Sequence, residues 1–254
     1  MAQQALPERG ARLGRPRGAA AARETVHGVV LLLPGGPETG TGRPSRLSVA
    51  TILPLARRLV RAGRAEGLTA HAVHYRHRGW NGDAAHPAED AAWAVDEVVR
   101  RYGDVPVCLI GHGMGARAAL RAGGHEAVAA VVALAPWLPE PDAQLTPEPV
   151  KQLVGRQVLF AHGTNDQRTD PELSYRLAER AKKINRDVCR FEVHADGHGL
   201  HHHRSEVQAL AADFLLGSLF AHGYSRPVAD ALAAPPPLGL RMPLAAGFGS
   251  TLPR

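Results

Sequence analysis

Between about residue 25 and residue 222, short apolar runs alternate with longer stretches of helical periodicity, and this alternation constrains the fold more than any other feature of the chain. The runs HGVVLLLP (27–34), LTAHAVHY (68–75), VPVCLIG (105–111), AVAAVVALAP (127–136), RQVLFAHG (156–163) and DVCRFEV (187–193) are too short for packed helices. Most are also too continuously apolar for strands wetted on one side. Such runs suit strands covered on both faces. SVATILPLARRLVRAG (48–63) reads as a helix with Ser48 as N-cap, Gly63 as its stop and Pro54 placed to bend it. PAEDAAWAVDEVVRRYG (87–103) is the clearest helix, with Pro87 in its first turn, arginines in its last and Gly103 ending it. Further helices are expected over 114–123, over 170–184 with Asp170 as N-cap and Pro171 behind it, and over 204–220. The pattern predicts an α/β fold: one domain with a doubly wound, mainly parallel sheet and helices on both faces.

Outside these limits the periodicity fails. Residues 1–24 are rich in Ala, Arg, Gly and Pro and are expected to be a disordered basic tail. Residues 223–254 are expected to be a disordered Pro/Gly/Ala-rich tail, because the prolines from Pro227 onward cannot continue a helix. The domain is then 25–222, a length that one core can fill. No window holds ~18 consecutive apolar residues, so no transmembrane helix is expected, and the N-terminus lacks the apolar centre of a secretory signal. Cys108 and Cys189 fall inside strand-like runs and read as buried thiols, so the expected setting is cytoplasmic. The net charge of +6 comes from 27 arginines and three lysines scattered along the chain, which reads as compositional bias. Neither a nucleic-acid partner nor a membrane is expected.

The stretch CLIGHGMGARAAL (108–120) runs from a strand through a tight turn into a helix, with Gly113 at the apex of Gly-His-Gly-Met-Gly. Gly-x-Ser-x-Gly in this context is a nucleophile elbow, where flanking glycines avoid clashes in a sharp turn. Gly111 and Gly115 hold both flanks. An acid and then a histidine should follow in chain order. Asp166, in HGTNDQRTDP (162–171), and His198, in ADGHG (195–199), occupy loops after later strands. Together with LLLPGG (31–36) and LIGHGMG (109–115), these segments make residues 25–222 resemble the α/β-hydrolase superfamily, in particular its small esterase/lipase-like and dienelactone-hydrolase-like members. The departure is Gly113, which stands at the nucleophile position.

The resemblance implies an oxyanion hole built from backbone N–H groups of the Gly35–Gly36 loop and of Met114. It also implies that Asp166 orients His198. Without a hydroxyl at residue 113, no acyl-enzyme forms there. Some non-hydrolytic relatives, the N-myc downstream-regulated proteins among them, also lack the serine. His112, Cys108, Cys189, Ser45 and Ser48 are poor substitutes, since none sits at the apex of an elbow. Asp142, in the Pro-rich loop 137–150, is a weaker alternative acid. His112, Arg78, Trp80 and Trp137 are candidates for the crevice wall. The run His198, His201, His202, His203 lacks a third-ligand motif, and the spacing of His71, His74 and His77 alternates faces on a strand, so no metal or cofactor is expected. Three readings stay open: esterase descent with lost or strongly reduced acyl transfer on an ester- or lactone-like ligand; a non-covalent hydrolase or lyase using the Asp166–His198 pair on water or a C–H acid; and a non-catalytic scaffold for a small molecule or an unidentified protein partner.

Overall fold

The structure, a computed structural model, describes residues 10–139 and 147–250. The expected runs form strands β3 (Gly28–Leu33), β4 (Leu68–His74), β5 (Val107–His112), β6 (Val128–Leu134), β7 (Gln157–Gly163) and β8 (Val188–Val193). All of these pair in parallel. The helices between them are α2 (Arg46–Ala62), α3 (His86–Tyr102), α4 (Met114–Ala122), α5 (Pro171–Lys182) and α6 (Arg204–Phe220). Every residue of β3 is buried, as a strand covered on both faces must be. Its side chains divide the core. Val29, Leu31 and Leu33 pack with residues of α3, α4 and α5, whereas Val30 and Leu32 pack with residues of α2 and α6. Burying each such side chain is worth roughly 1.5–3 kcal/mol.

In space the core strands run β4-β3-β5-β6-β7-β8. The chain moves outward from β3 to β4, then returns to the other side of β3 as β5. The order therefore reverses between β3 and β5, and ligand crevices in open α/β sheets lie beyond the carboxyl ends of strands at such a point. The loop after β3 carries Gly35 and Gly36, and the turn after β5 carries Gly113.

Both tails depart from the expectation of disorder wherever they are described. Before the domain, β1 (Arg12–Leu13) and β2 (Arg17–Gly18) pair antiparallel with β4, and a short helix α1 (Ala19–Ala22) follows. The partner sums of the two registers differ by one residue, the mark of a bulge near Pro16. Edge pairing uses backbone groups, so it needs none of the side-chain periodicity whose absence had indicated disorder. His71 helps to fix this arm: its Nδ1–H donates to the Gly14 carbonyl at 2.8 Å, and Nε2 lies 2.7 Å from the Tyr102 hydroxyl. At the other end, α7 (Arg226–Ala233) has Pro227 in its first turn, where a missing N–H costs nothing, and it buries Val228 and Ala231. Strand β9 (Met242–Pro243) then pairs in parallel with β8. The cap of α2 is also Ser45 and not Ser48: Ser45 Oγ accepts from the Leu47 N–H at 3.1 Å, while the Ser48 hydroxyl donates to the Ser45 carbonyl.

Candidate active site

Strand β5 runs directly into Gly113 and then α4. The flanking glycines are forced by sterics. A Cβ on Gly111 would collide with the Gly115 carbonyl, and one on Gly115 with the Leu33 carbonyl. Gly113 itself has φ +56° and ψ −117°, a region that L-residues seldom occupy. Its N–H donates to the Leu134 carbonyl at 3.0 Å, and its own carbonyl accepts from the Trp137 N–H at 3.0 Å. The turn thus holds a geometry that would strain an L side chain and that glycine adopts at little cost.

Directly over this apex stands His198. An ideal Cβ placed on Gly113 would lie 3.1 Å from His198 Nε2 and 3.4 Å from Cε1. On the far side of the ring, Nδ1–H donates to Asp166 Oδ2 at 2.9 Å, which leaves the Nε2 lone pair facing the apex. Asp166 also accepts from the Thr169 hydroxyl at 2.7 Å, from the N–H groups of Arg168 at 2.8 Å and Thr169 at 3.1 Å, and from His162 Nε2 at 3.1 Å. Burial by itself would raise this carboxyl. The hydrogen bonds from His162, His198, Thr169 and Arg168 outweigh that and hold it well below the ordinary carboxylate range. An ionised, immobile carboxylate is what a base histidine needs to stay in one tautomer.

The histidine's loop is held equally firmly. Buried Asp196 accepts from the N–H groups of Gly197, His201 and His203 at 2.9, 3.1 and 2.9 Å, tying the loop into a knot around its carboxylate. His112, adjacent to the apex, has Nε2 2.8 Å from the His198 carbonyl, to which it donates, and its ring meets the His198 ring edge-on at 4.8 Å. Burial first, and the neighbouring His198 second, push His112 down to about 4, so it is neutral at ordinary pH.

The Gly35–Gly36 loop lies against the same turn. A Cβ on Gly35 would approach the His112 carbonyl at 3.4 Å, and one on Gly36 would run into the Arg78 carbonyl at 2.5 Å and the Met114 Cε methyl at 2.6 Å. The Met114 N–H opens α4 and finds no acceptor among the described residues. Gly35, Gly36 and Met114 therefore sit together beside the turn.

The expected wall residues divide. Trp137 adjoins the apex through its backbone bond to Gly113. Trp80 is buried, 3% exposed, and turns its face to the Arg117 guanidinium at 4.1 Å; Trp137 lies 4.9 Å from the same guanidinium. Arg117 in turn pairs with buried Glu148 at 2.9 Å. Trp80 thus packs against a cation instead of presenting an open wall. Arg78 is exposed and folds its side chain over Gly40, so it covers the loop after β3. Asp142 lies outside the described residues.

The substitute nucleophiles do not reach the apex. Burial pushes the Cys108 and Cys189 thiols up, and both are unpaired inside their strands. The hydroxyls of Ser45 and Ser48 serve the first turn of α2. Among the described residues no group of three His, Cys, Asp or Glu side chains is arranged to hold a metal ion. His71, His74 and His77 do not converge: His71 bonds to Gly14 and Tyr102, and His77 Nδ1 to the Thr41 carbonyl. None of the described helices is long and apolar enough to cross a membrane.

The sequence did not single out His162, Thr169 or Asp196. A signal existed in the spacing His162-Gly-x-x-Asp166, which places a ring beside the carboxylate. His162 also extends the bonding inward, its Nδ1 lying 2.9 Å from the hydroxyl of buried Ser174, which accepts from Arg190 Nε at 3.1 Å.

No family model matches the sequence, and no curated protein is similar to it in sequence. Solved structures are similar in fold. An esterase of Pyrococcus furiosus, Pf2001, superposes with a TM-score of 0.57 at 18% identity, covering 76% of this chain and 83% of that one. TT1662 from Thermus thermophilus gives 0.60 at 18%, over 84% of this chain and 99% of its own. XC6422 from Xanthomonas campestris, described as an α/β serine hydrolase without a lid, gives 0.56 at 16%, over 84% and 89%. The mainly parallel sheet, its helices on both faces and these likenesses together give the chain the α/β-hydrolase fold.

Proposed function

We propose that this protein descends from carboxylic-ester or related acyl hydrolases and has lost, or sharply reduced, acyl transfer through a covalent intermediate. The observation that carries this reading is the placement of Gly113 beneath the Nε2 lone pair of an Asp166-paired histidine, at the point where a hydroxyl would be aimed. The ligand of the crevice is then a small ester- or lactone-like molecule. A cytoplasmic setting, with both cysteines buried and unpaired, accompanies the reading.

A second reading rests on the completeness of what remains. The Asp166–His198 pair is hydrogen-bonded, and the Met114 N–H is without a protein partner among the described residues. His198 Nε2 would take a proton from a water molecule whose oxygen attacks the ester carbonyl carbon. The developing oxyanion would lie against Met114 and the Gly35–Gly36 loop, and the proton would pass from His198 to the departing alkoxide. Systems that lose a triad member retain about 10³–10⁴-fold acceleration over water from such groups. The same base could act on a C–H acid beside a carbonyl.

Wild type and His198→Ala are compared on short p-nitrophenyl esters, with a fluorophosphonate probe for covalent capture. The first reading expects no labelling and turnover near the background in both proteins. Rapid wild-type turnover without labelling, abolished in His198→Ala, moves the assignment to the second reading. A labelled wild type would overturn both.

A further inference from the structure

A cavity of about 430 Å³ opens on the opposite side of the molecule, between the N-terminal arm and the last turns of α2. Arg17, Arg57, Arg61 and Arg64 line it, with Glu24 as its one acidic lining residue and Ala19, Ala22 and Val60 as apolar walls. Its place in the fold separates it from Gly113. Arg17 and Gly18 pair with Ala70 and Thr69 near the start of β4, whereas the Gly113 turn follows the carboxyl end of β5.

None of these four arginines has a carboxylate within ion-pair distance among the described residues. Several arginines elsewhere do find carboxylates, among them Arg76 with Glu89 and Asp90, Arg100 and Arg101 with Glu97, Arg117 and Arg121 with Glu148, and Arg241 with Glu172 and Glu192; what sets these four apart is that they gather around one cavity, with Arg57, Arg61 and Arg64 exposed at its rim. Arg57 and Arg61 stand four apart on one helix, and like charges at that spacing repel. The negative end of the α2 dipole favours Arg61, in the last turn, but falls off within that turn and leaves Arg57 and Arg17 uncompensated. At 1.5 Å of rise per residue, Arg57 and Arg61 are about 6 Å apart along the helix, and Arg64 follows beyond its end. A single compact anion can meet two of these guanidinium groups, but four set on the arm, on α2 and beyond its end outnumber its contacts. An extended anion with linked phosphates can meet more of them, since each guanidinium presents a planar fork to phosphate oxygens.

We infer that the cavity lined by Arg17, Arg57, Arg61 and Arg64 is a binding site for a small molecule carrying a polyphosphate chain, with the Ala19–Ala22–Val60 wall receiving its less polar part. The site is independent of the Gly113 centre, and the inference does not rest on the esterase reading.

The test is titration calorimetry of the full chain at low salt with two probes, inorganic pyrophosphate and ATP. Arg57→Gln/Arg61→Gln is compared with Arg226→Gln, which removes an exposed arginine on α7. Wild type and Arg226→Gln should bind with equal affinity, and the double variant, folded by circular dichroism, should bind at least tenfold more weakly. ATP binding more tightly than pyrophosphate supports the role of the apolar wall; equal affinities overturn that role and leave only the phosphate site. The inference is overturned if neither probe binds wild type, if Arg226→Gln loses as much as the double variant, or if anionic vesicles or an oligonucleotide bind while both probes do not.

Discussion

Gly113→Ser restores the missing atom and tests the site reading directly. The structure sets both its cost and its gain. At φ +56° and ψ −117° a side chain is strained, at roughly 1–3 kcal/mol. The new Cβ would stand 3.1 Å from His198 Nε2, so the ring must also give by a few tenths of an ångström. For a domain of this size each kcal/mol lowers Tm by about 2–4 °C, so Tm should fall by roughly 2–12 °C. In return a hydroxyl arrives within hydrogen-bonding reach of a base already oriented by Asp166. Loss of the serine from an intact triad costs up to about 10⁶-fold in kcat in other hydrolases, which sets a ceiling on the gain. A gain of at least about 10²-fold on p-nitrophenyl acetate, with new fluorophosphonate labelling at residue 113, is expected if the acid, base and oxyanion donors are in register. The assay pairs a thermal melt with initial rates and intact-mass labelling. A Gly113→Ser protein that melts within the expected range yet shows neither labelling nor faster turnover would refute the claim that the remaining groups are aligned on the apex.

Gly115→Ala should prevent folding or lower stability by more than about 3 kcal/mol, because its Cβ meets the rigid Leu33 carbonyl; soluble yield and Tm report it, and a melt like wild type would contradict the close approach. Glu148→Ala leaves Arg117 and Arg121 without their partner, with Arg117 buried beside Trp80 and Trp137, and should cost about 3–5 kcal/mol by denaturant unfolding. His112 is held neutral, its folded pKa pushed down to about 4 from 6.5. Between those pH values the unfolded chain binds more protons than the folded one. Its contribution is therefore complete above pH 6.5 and lost as pH falls toward 4, by about 2–3 kcal/mol, and His112→Asn should flatten that slope in urea melts.

The parts of this molecule legible in its sequence are those that repeat a period or crowd a turn. The fully buried Val29–Leu33 run announces β3, and the glycines at 111 and 115 announce a turn that tolerates no Cβ. Asp166 and His198 were found through chain order and strand ends, and they meet at 2.9 Å. What stayed hidden works through the backbone or through single long-range contacts. The arm at 12–18 holds to β4 by main-chain bonds that any composition can make. Arg117 between Trp80 and Trp137, and Asp196 gathering three N–H groups, involve residues whose proximity no local spacing encodes. The shift of the α2 cap from Ser48 to Ser45 has a plainer cause: the segment offers two serines three residues apart, and the helix begins at the earlier one.

The two ends of the described chain flank the sheet like bookends. On one side β1 and β2 occupy the outer side of β4; on the other, β9 does the same for β8 and ends in Pro243, which has no N–H to offer a further strand. A version cut back to residues 26–221 would keep every group around His198 but would uncover backbone hydrogen-bonding groups on the outer sides of β4 and β8, each a template for another copy. Trimming the ends would thus favour association edge to edge.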